Sequence, residues 1–252
     1  PLDIDVARLE KSGGEIVLLQ NLLVDETADP IQFAGTLSIL NLNDKTVTFG
    51  KANTASQITM NSTSAIKGSA TSGLTILGTG SFGTLRFDQT TPGTTNVLQN
   101  LNIDRSTGSV ILGDNLIVSG NLTVTSGTLT LAASKQLTVS GTLTNNGTFT
   151  LENGATFKQG SSVTGGGTYN VKQTLSDGAG SGSTLTGRYW YMGTPVSCTR
   201  AVGFGSAGNL NKVWSFTNGA YSAVADATTL SPTTGYVHRR SDNTTLTFTG
   251  QN

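Results

Sequence analysis

Four aromatic residues carry the most suggestive chemistry in this chain: Tyr189, Trp190 and Tyr191 in the run RYWYMG, and Trp214 in KVWSF. Flat aromatic faces stack on sugar rings, so these four are the candidate ligand-binding residues of a carbohydrate-binding module. In a β-sandwich the commoner role of such residues is to fill the core or an interface. Alanine substitution at Trp190 separates the two roles: lost sugar binding with unchanged stability marks a site, and lost stability marks the core.

Catalysis needs closer groupings than the chain offers. Glycoside and polysaccharide cleavage use paired carboxylates, yet between residues 105 and 176 the only acids are Asp114 and Glu152. They fall far apart in sequence and should not meet. Asp88, Asp104 and Arg105 are the one set that could approach across neighbouring strands. A catalytic thiol requires a basic partner, and the single cysteine, Cys198, is far from the single histidine, His238. Cys198 is expected to be a small core residue, and His238, beside Arg239 and Arg240, an exposed polar strand end.

Oxygen donors are equally sparse. Asp3 with Asp5, and Asn41 with Asn43 and Asp44, read as solvated turns rather than metal ligands, and the acidic glycine-rich calcium nonapeptide does not occur. The stretch DGAGSGS lacks the lysine and strand-to-helix setting of a phosphate loop. Repeated T-x-T (Thr123/Thr125, Thr128/Thr130, Thr142/Thr144, Thr148/Thr150) could order water, but threonine is also the favoured polar residue of an exposed strand, and these pairs do not all share one face. The expectation is no catalytic residue, no metal and no cofactor, hence no enzyme.

The elements that would position these residues follow from a repeat. Apolar pairs recur at Leu116/Val118, Leu122/Val124, Leu129/Leu131 and Leu137/Val139, then at Leu143, Phe149/Leu151, Phe157, Val163 and Tyr169/Val171. Every third pair is equivalent: Leu116 leads to Leu137 and Phe157, Leu122 to Leu143 and Val163, Leu129 to Phe149 and Tyr169. The spacing predicts an all-β chain wound as a right-handed parallel β-helix, a β-solenoid of about 20 residues per three-strand coil. Glycines keep the same register (Gly120 and Gly141; Gly127, Gly147 and Gly167), as corners that turn sharply and often need positive φ would require. A hairpin meander is the structural rival, but it has no reason to match every third strand.

Composition agrees with that shape. Charged residues make up 12% of the chain, about half the usual share, and 15 basic residues balance 15 acidic ones. Zero net charge argues against nucleic acid or an anionic membrane as partner. Threonine is about one residue in six and there are 32 glycines, so strand and turn formers dominate. The longest apolar region, Ile16–Val24, is too short and too interrupted to span a bilayer.

Four segments are expected. Residues 1–34, rich in charge, read as an N-terminal cap or junction, and 35–175 as the parallel β-solenoid, with DQTTPGTTN (88–96) leaving it as a loop. A Gly/Ser linker follows at 176–187. The strands KVWSF, AYSAV, GYVHRR and TLTFTG then predict an antiparallel β-sandwich-like module over 188–252, incomplete where the chain stops. A start at Pro1 fits a processed chain or a fragment. Asn-x-Ser/Thr sequons at Asn61, Asn121, Asn146 and Asn243 reflect composition.

The runs GSATSGLTILGTGSFGTLRFDQTTPGTTNVLQNLNIDRSTGSVILGDNLIVSGNLTVTSGTLTL, LTNNGTFTLENGATFKQGSSVTGGGTYNVKQTL and GRYWYMGTPVS, with NLNKVWSFTNGAYSAVADATTLSPTTGYVHRRSDNTTLTFTG, cover roughly residues 35–252. Their texture resembles the long, repeat-rich, adhesin-like surface proteins of Bacteroidota exported by type IX secretion, some of them linked to gliding motility. The resemblance implies a secreted or cell-surface location and contact with secretion translocon components during export. It also implies surface glycans or other cell-surface proteins as partners. A non-enzymatic stalk or spacer in such a protein is the leading expectation; a carbohydrate-binding module and a polysaccharide-degrading β-helix enzyme are the alternatives.

Overall fold

The computed structural model describes residues 2–3, 13–24, 31–32, 38–50, 58–60, 63–176, 189–208, 211–240 and 243–251. The expected linker therefore lies, beyond Ser176, outside the described residues, as do Asp5 and most of the charged N-terminal run. Strands hold 59% of the structure, and the only helix among the described residues is the five-residue α1, Arg200–Phe204. The chain is all-β, with mostly parallel sheets. It divides into two compact units: residues 1–149 with 155–167, and residues 150–154 with 168–252.

In the first unit, alternation of branched apolar residues with threonine sets one side of each strand inward. Leu116–Val118 and Leu137–Val139 each run buried, half-buried, buried. The residues the repeat aligns are the ones that face each other: Leu116 stands beside Leu137 and Leu137 beside Phe157. Leu122 likewise stands beside Leu143, and Leu143 beside Val163. All these ladders are parallel. One file passes through Leu2, Leu22, Val47, Leu74, Leu101, Leu122, Leu143 and Val163. From Leu22 to Leu143 its members are at most 3% exposed.

Two features add to the expectation. The segment 1–34, expected as a cap or junction, already contributes to these ladders, because Leu2–Asp3 pairs with Leu22–Val24 and that strand with Thr46–Phe49. Its charge does not prevent stacking where the carboxylate points outward: exposed Glu15 accepts a bond from Lys67 Nζ at 3.2 Å. The 88–96 loop, for its part, is anchored. Pro92, Gly93 and Thr94 are exposed, while Thr95 and Asn96 are buried and the Thr95 hydroxyl donates to the Asp88 carbonyl. This loop lies in the long step from Leu74 to Leu101, but the step from Val47 to Leu74 is equally long without it.

The corner glycines are there for closeness. A Cβ on Gly147 would lie 2.5 Å from the Gly127 carbonyl oxygen, and one on Gly167 2.5 Å from that of Gly147. Gly141 meets Gly120 in the same way. Positive φ was the expected reason, but of these five only Gly127 has it, at 78°. Asparagines complete the corners. Asn100 Oδ1 accepts the Asn121 N–H at 3.0 Å, and Asn121 Oδ1 accepts the Thr142 N–H at 2.9 Å.

In the second unit, Thr168–Leu175 pairs antiparallel with Thr244–Gly250 along its whole length. The repeat spacing predicts this strand as the last of the parallel series; its period-two pattern suits a parallel or an antiparallel neighbour equally. A four-stranded antiparallel sheet runs in the order Tyr189–Gly193, Gly235–Arg240, Asn211–Thr217, Ala220–Ala223. Phe204 of α1 centres the unit's core, with the rings of His238, Phe248 and Tyr236 at 4.9, 5.2 and 6.1 Å.

Gly147→Ala should lower stability by about 1–3 kcal/mol, since the added methyl meets backbone that cannot step aside. Gly166→Ala, where a Cβ would meet nothing within 4 Å, should stay within about 0.5 kcal/mol of the parent. Urea denaturation of the two variants checks the pair, and equal midpoints would refute close approach as the cause.

Candidate functional site

Strand alternation sorts the four candidate aromatics at once. Tyr189 and Tyr191 point to one face of the four-stranded sheet and are 49% and 76% exposed. Trp190 points to the other, half-buried, with its ring 6.0 Å from that of His238. Trp190 is thus half-buried and lines a depression of about 740 Å³ with Met192, Leu175 and Phe248, while the two tyrosines stand exposed on the opposite face. Register brings Trp214 to their side, because Tyr191 lies opposite Val237 and Val237 opposite Trp214.

The outer face carries more than the sequence reading named. Phe216 lies opposite Tyr221, their ring centroids 5.0 Å apart, and both are more than half exposed. Tyr189 and Trp214 are 6.2 Å apart and tilted by 42°. Together Tyr189, Tyr191, Trp214, Tyr221 and Val237 line a shallow depression of about 320 Å³. A second, of about 400 Å³, adjoins it across Tyr191 and Tyr221, with Gly193, Gly235 and Phe216 in its lining. At one end Arg239 lies over the Tyr189 ring, 4.7 Å from its centroid, and donates to the Tyr189 hydroxyl at 3.1 Å. Lys212 is the register partner of Arg239. The signal for the missed residues was the same alternation: KVWSF places Lys212, Trp214 and Phe216 on one side.

Beneath this face the structure corrects the reading of His238. It is fully buried, not an exposed strand end, because Tyr236 and His238 occupy the inward positions of their strand. Its Nε2 lies 2.9 Å from Asn211 Oδ1. Asn211 Nδ2 donates to the carbonyls of Phe204 and Ser206. Arg200, 1% exposed, donates to the Asn211 carbonyl and to Asp226 Oδ1 at 2.6 Å. These bonds satisfy the end of α1 and the chain turning away from it. Cys198 is buried beside them, and desolvation pushes its thiol pKa up, the wrong direction for a nucleophile.

The remaining candidates hold separate partners. Asp88 accepts from the backbone and hydroxyl of Thr90, and Asp104 from the Ser126 hydroxyl at 2.7 Å. Arg105 is fully buried, donating to the carbonyls of Gly80 and Leu77 at 2.6 and 2.7 Å. Burial lowers its pKa. Asp114 lies between Arg86 and Lys135, whereas Glu152 pairs with Lys172 at 2.7 Å. Asp44 accepts from the hydroxyls of Ser69 and Thr71, which hold its carboxyl below the usual range. No cluster of three potential metal ligands occurs among the described residues.

Asp226→Ala should destabilise the second unit by about 2 kcal/mol. That is less than the loss of a fully buried pair, because the carboxylate is half in water. Chemical denaturation measures it, and an unchanged midpoint would remove the network from the stability account. Cys198 should react with a thiol-specific disulfide reagent far more slowly in the native chain than in urea. Equal rates would show that the thiol is open.

No family model, curated protein or solved structure was found to match this chain.

Proposed function

We propose that this chain is a non-enzymatic structural and adhesive segment of a secreted cell-surface protein. In this reading the first unit is a parallel β-helix that serves as a stalk or spacer, and the second is a sandwich-like module. The observation that carries the reading is the order of the ladders. The chain passes through Leu116–Val118, Leu122–Leu131 and Gln136–Val139 in turn, yet Gln136–Val139 skips the strand before it and pairs with Leu116–Val118, while Leu122–Leu131 pairs with Leu143–Asn145. A wound chain of this kind needs no ligand to be useful: paired backbone on both sides of each middle strand makes it stiff.

The outward positions support a spacer. One outer file runs Thr48, Thr75, Asn102, Thr123, Thr144, Thr164. It carries hydroxyls and an amide, groups that hold water and do no acid–base work. Export by type IX secretion, a place at the cell surface, and glycans or other surface proteins as partners belong to the same proposal. They rest on the resemblance of the repeat texture.

Removal of residues 122–142, one complete step between Leu101 and Leu143, tests the winding. The shortened chain should fold, retain its β circular dichroism and melt cooperatively, because Leu143 takes the place of Leu122 beside Leu101. A chain that fails to fold after this deletion, while single alanine substitutions on the outer face are tolerated, would overturn the β-helix reading.

A further inference from the structure

We propose that Tyr189–Gly193 is a docking edge at which a second copy of this chain adds the same strand, antiparallel, about a two-fold axis through Tyr191. The four-stranded sheets of the two copies then join into one. The proposal does not rest on the spacer reading, since it uses only residues of the second unit.

The first observation is an edge. Tyr189–Gly193 is the outermost strand of its sheet, paired with Gly235–Arg240 on one side and, among the described residues, with no strand on the other. Such an edge presents N–H and C=O groups with which another chain can pair, and folds commonly blunt it with charge or proline. The strand YWYMG contains neither. The second observation is a groove along that edge. The depression of about 740 Å³ is lined by the unbroken run of residues 189–195 together with Val171, Gln173, Leu175 and Phe248, and none of these is charged. Residues of both orientations line it, so it follows the edge of the strand rather than one face.

Together the edge and the groove select the occupant. An apolar small molecule would cover the backbone groups of the edge and leave them unsatisfied, whereas an added strand bonds to them in turn. An uncharged lining asks in addition for uncharged side chains at the positions that turn into the groove. This strand meets both demands itself. Paired antiparallel about Tyr191, it sets Trp190 opposite the partner's Met192, and Met192 opposite the partner's Trp190. These positions turn to the inner side, so each copy fills the depression of the other with an indole and a thioether, a favourable combination. On the outer side Tyr189 falls opposite the partner's Gly193, which leaves room for its ring, and Tyr191 meets the partner's Tyr191. The two-fold pairing covers this edge in both copies at once and closes.

Sedimentation velocity of the full chain over a concentration series tests the proposal, and a reversible monomer–dimer equilibrium is expected. Tyr191 is 76% exposed, so changes there should leave the melting temperature of the dilute monomer unaltered. Tyr191→Lys and Tyr191→Glu should each weaken the dimer by about tenfold or more, because like charges then meet across the axis. Mixing the two variants in equal amounts should restore it. Tyr191→Cys should give a disulfide-linked dimer on air oxidation, joined at position 191 by peptide mapping; the native Cys198 is buried and does not compete. Tyr189→Cys, set opposite the partner's Gly193, should cross-link far more slowly. A chain monomeric at every concentration, a dimer that Tyr191→Lys leaves intact, or no recovery in the mixture would overturn the proposal. So would equal cross-linking of the two cysteine variants, because the copies would then meet face to face rather than edge to edge.

Discussion

Each parallel strand of the first unit has its neighbour alongside at the spacing of one backbone hydrogen bond, about 4.8 Å, and that distance governs everything built on it. Where two corners stack this closely, a side chain on one meets the carbonyl of the other, so Gly120 with Gly141 and Gly127 with Gly147 must both be bare. Where amide groups at a corner lack a ladder partner, the step below supplies one through an asparagine oxygen, as Asn100 does for Asn121. The apolar file from Leu22 to Leu143 follows the same ladders, and its members are buried along the whole run.

This is why the first unit was legible. A repeat in space with a fixed offset is also a repeat in sequence, and the partners Leu116, Leu137 and Phe157 could be named from spacing alone. The reasons behind the spacing were less visible. Glycine serves both positive φ and close approach, and only coordinates show that Gly147 and Gly167 serve the second. Early steps with longer corners obscured the ladder that starts at Leu2, and the concentration of charge there suggested a boundary where pairing continues.

The second unit lacks such a rule, and reading it was harder. Its core depends on residues distant in sequence and unlike in type: Arg200, Asn211, Asp226 and His238 around the end of a five-residue helix. A lone histidine next to two arginines looks like a surface residue until its strand is placed, and then alternation carries it inward under Phe204. The candidate face was half legible. The composition of RYWYMG marked the place, but the split between Trp190 and its two neighbours required knowing that the segment is a strand.

That split has an evolutionary consequence. Trp190 and Tyr191 are one residue apart, yet the first is half-buried on the inner side and the second is mostly in solvent. Substitutions at Tyr191 or Tyr221 should endanger the fold less than those at the fully buried His238. A lineage carrying this module is thus free to diversify the face it shows to its surroundings, one alternate position at a time, on an inherited and unchanging interior.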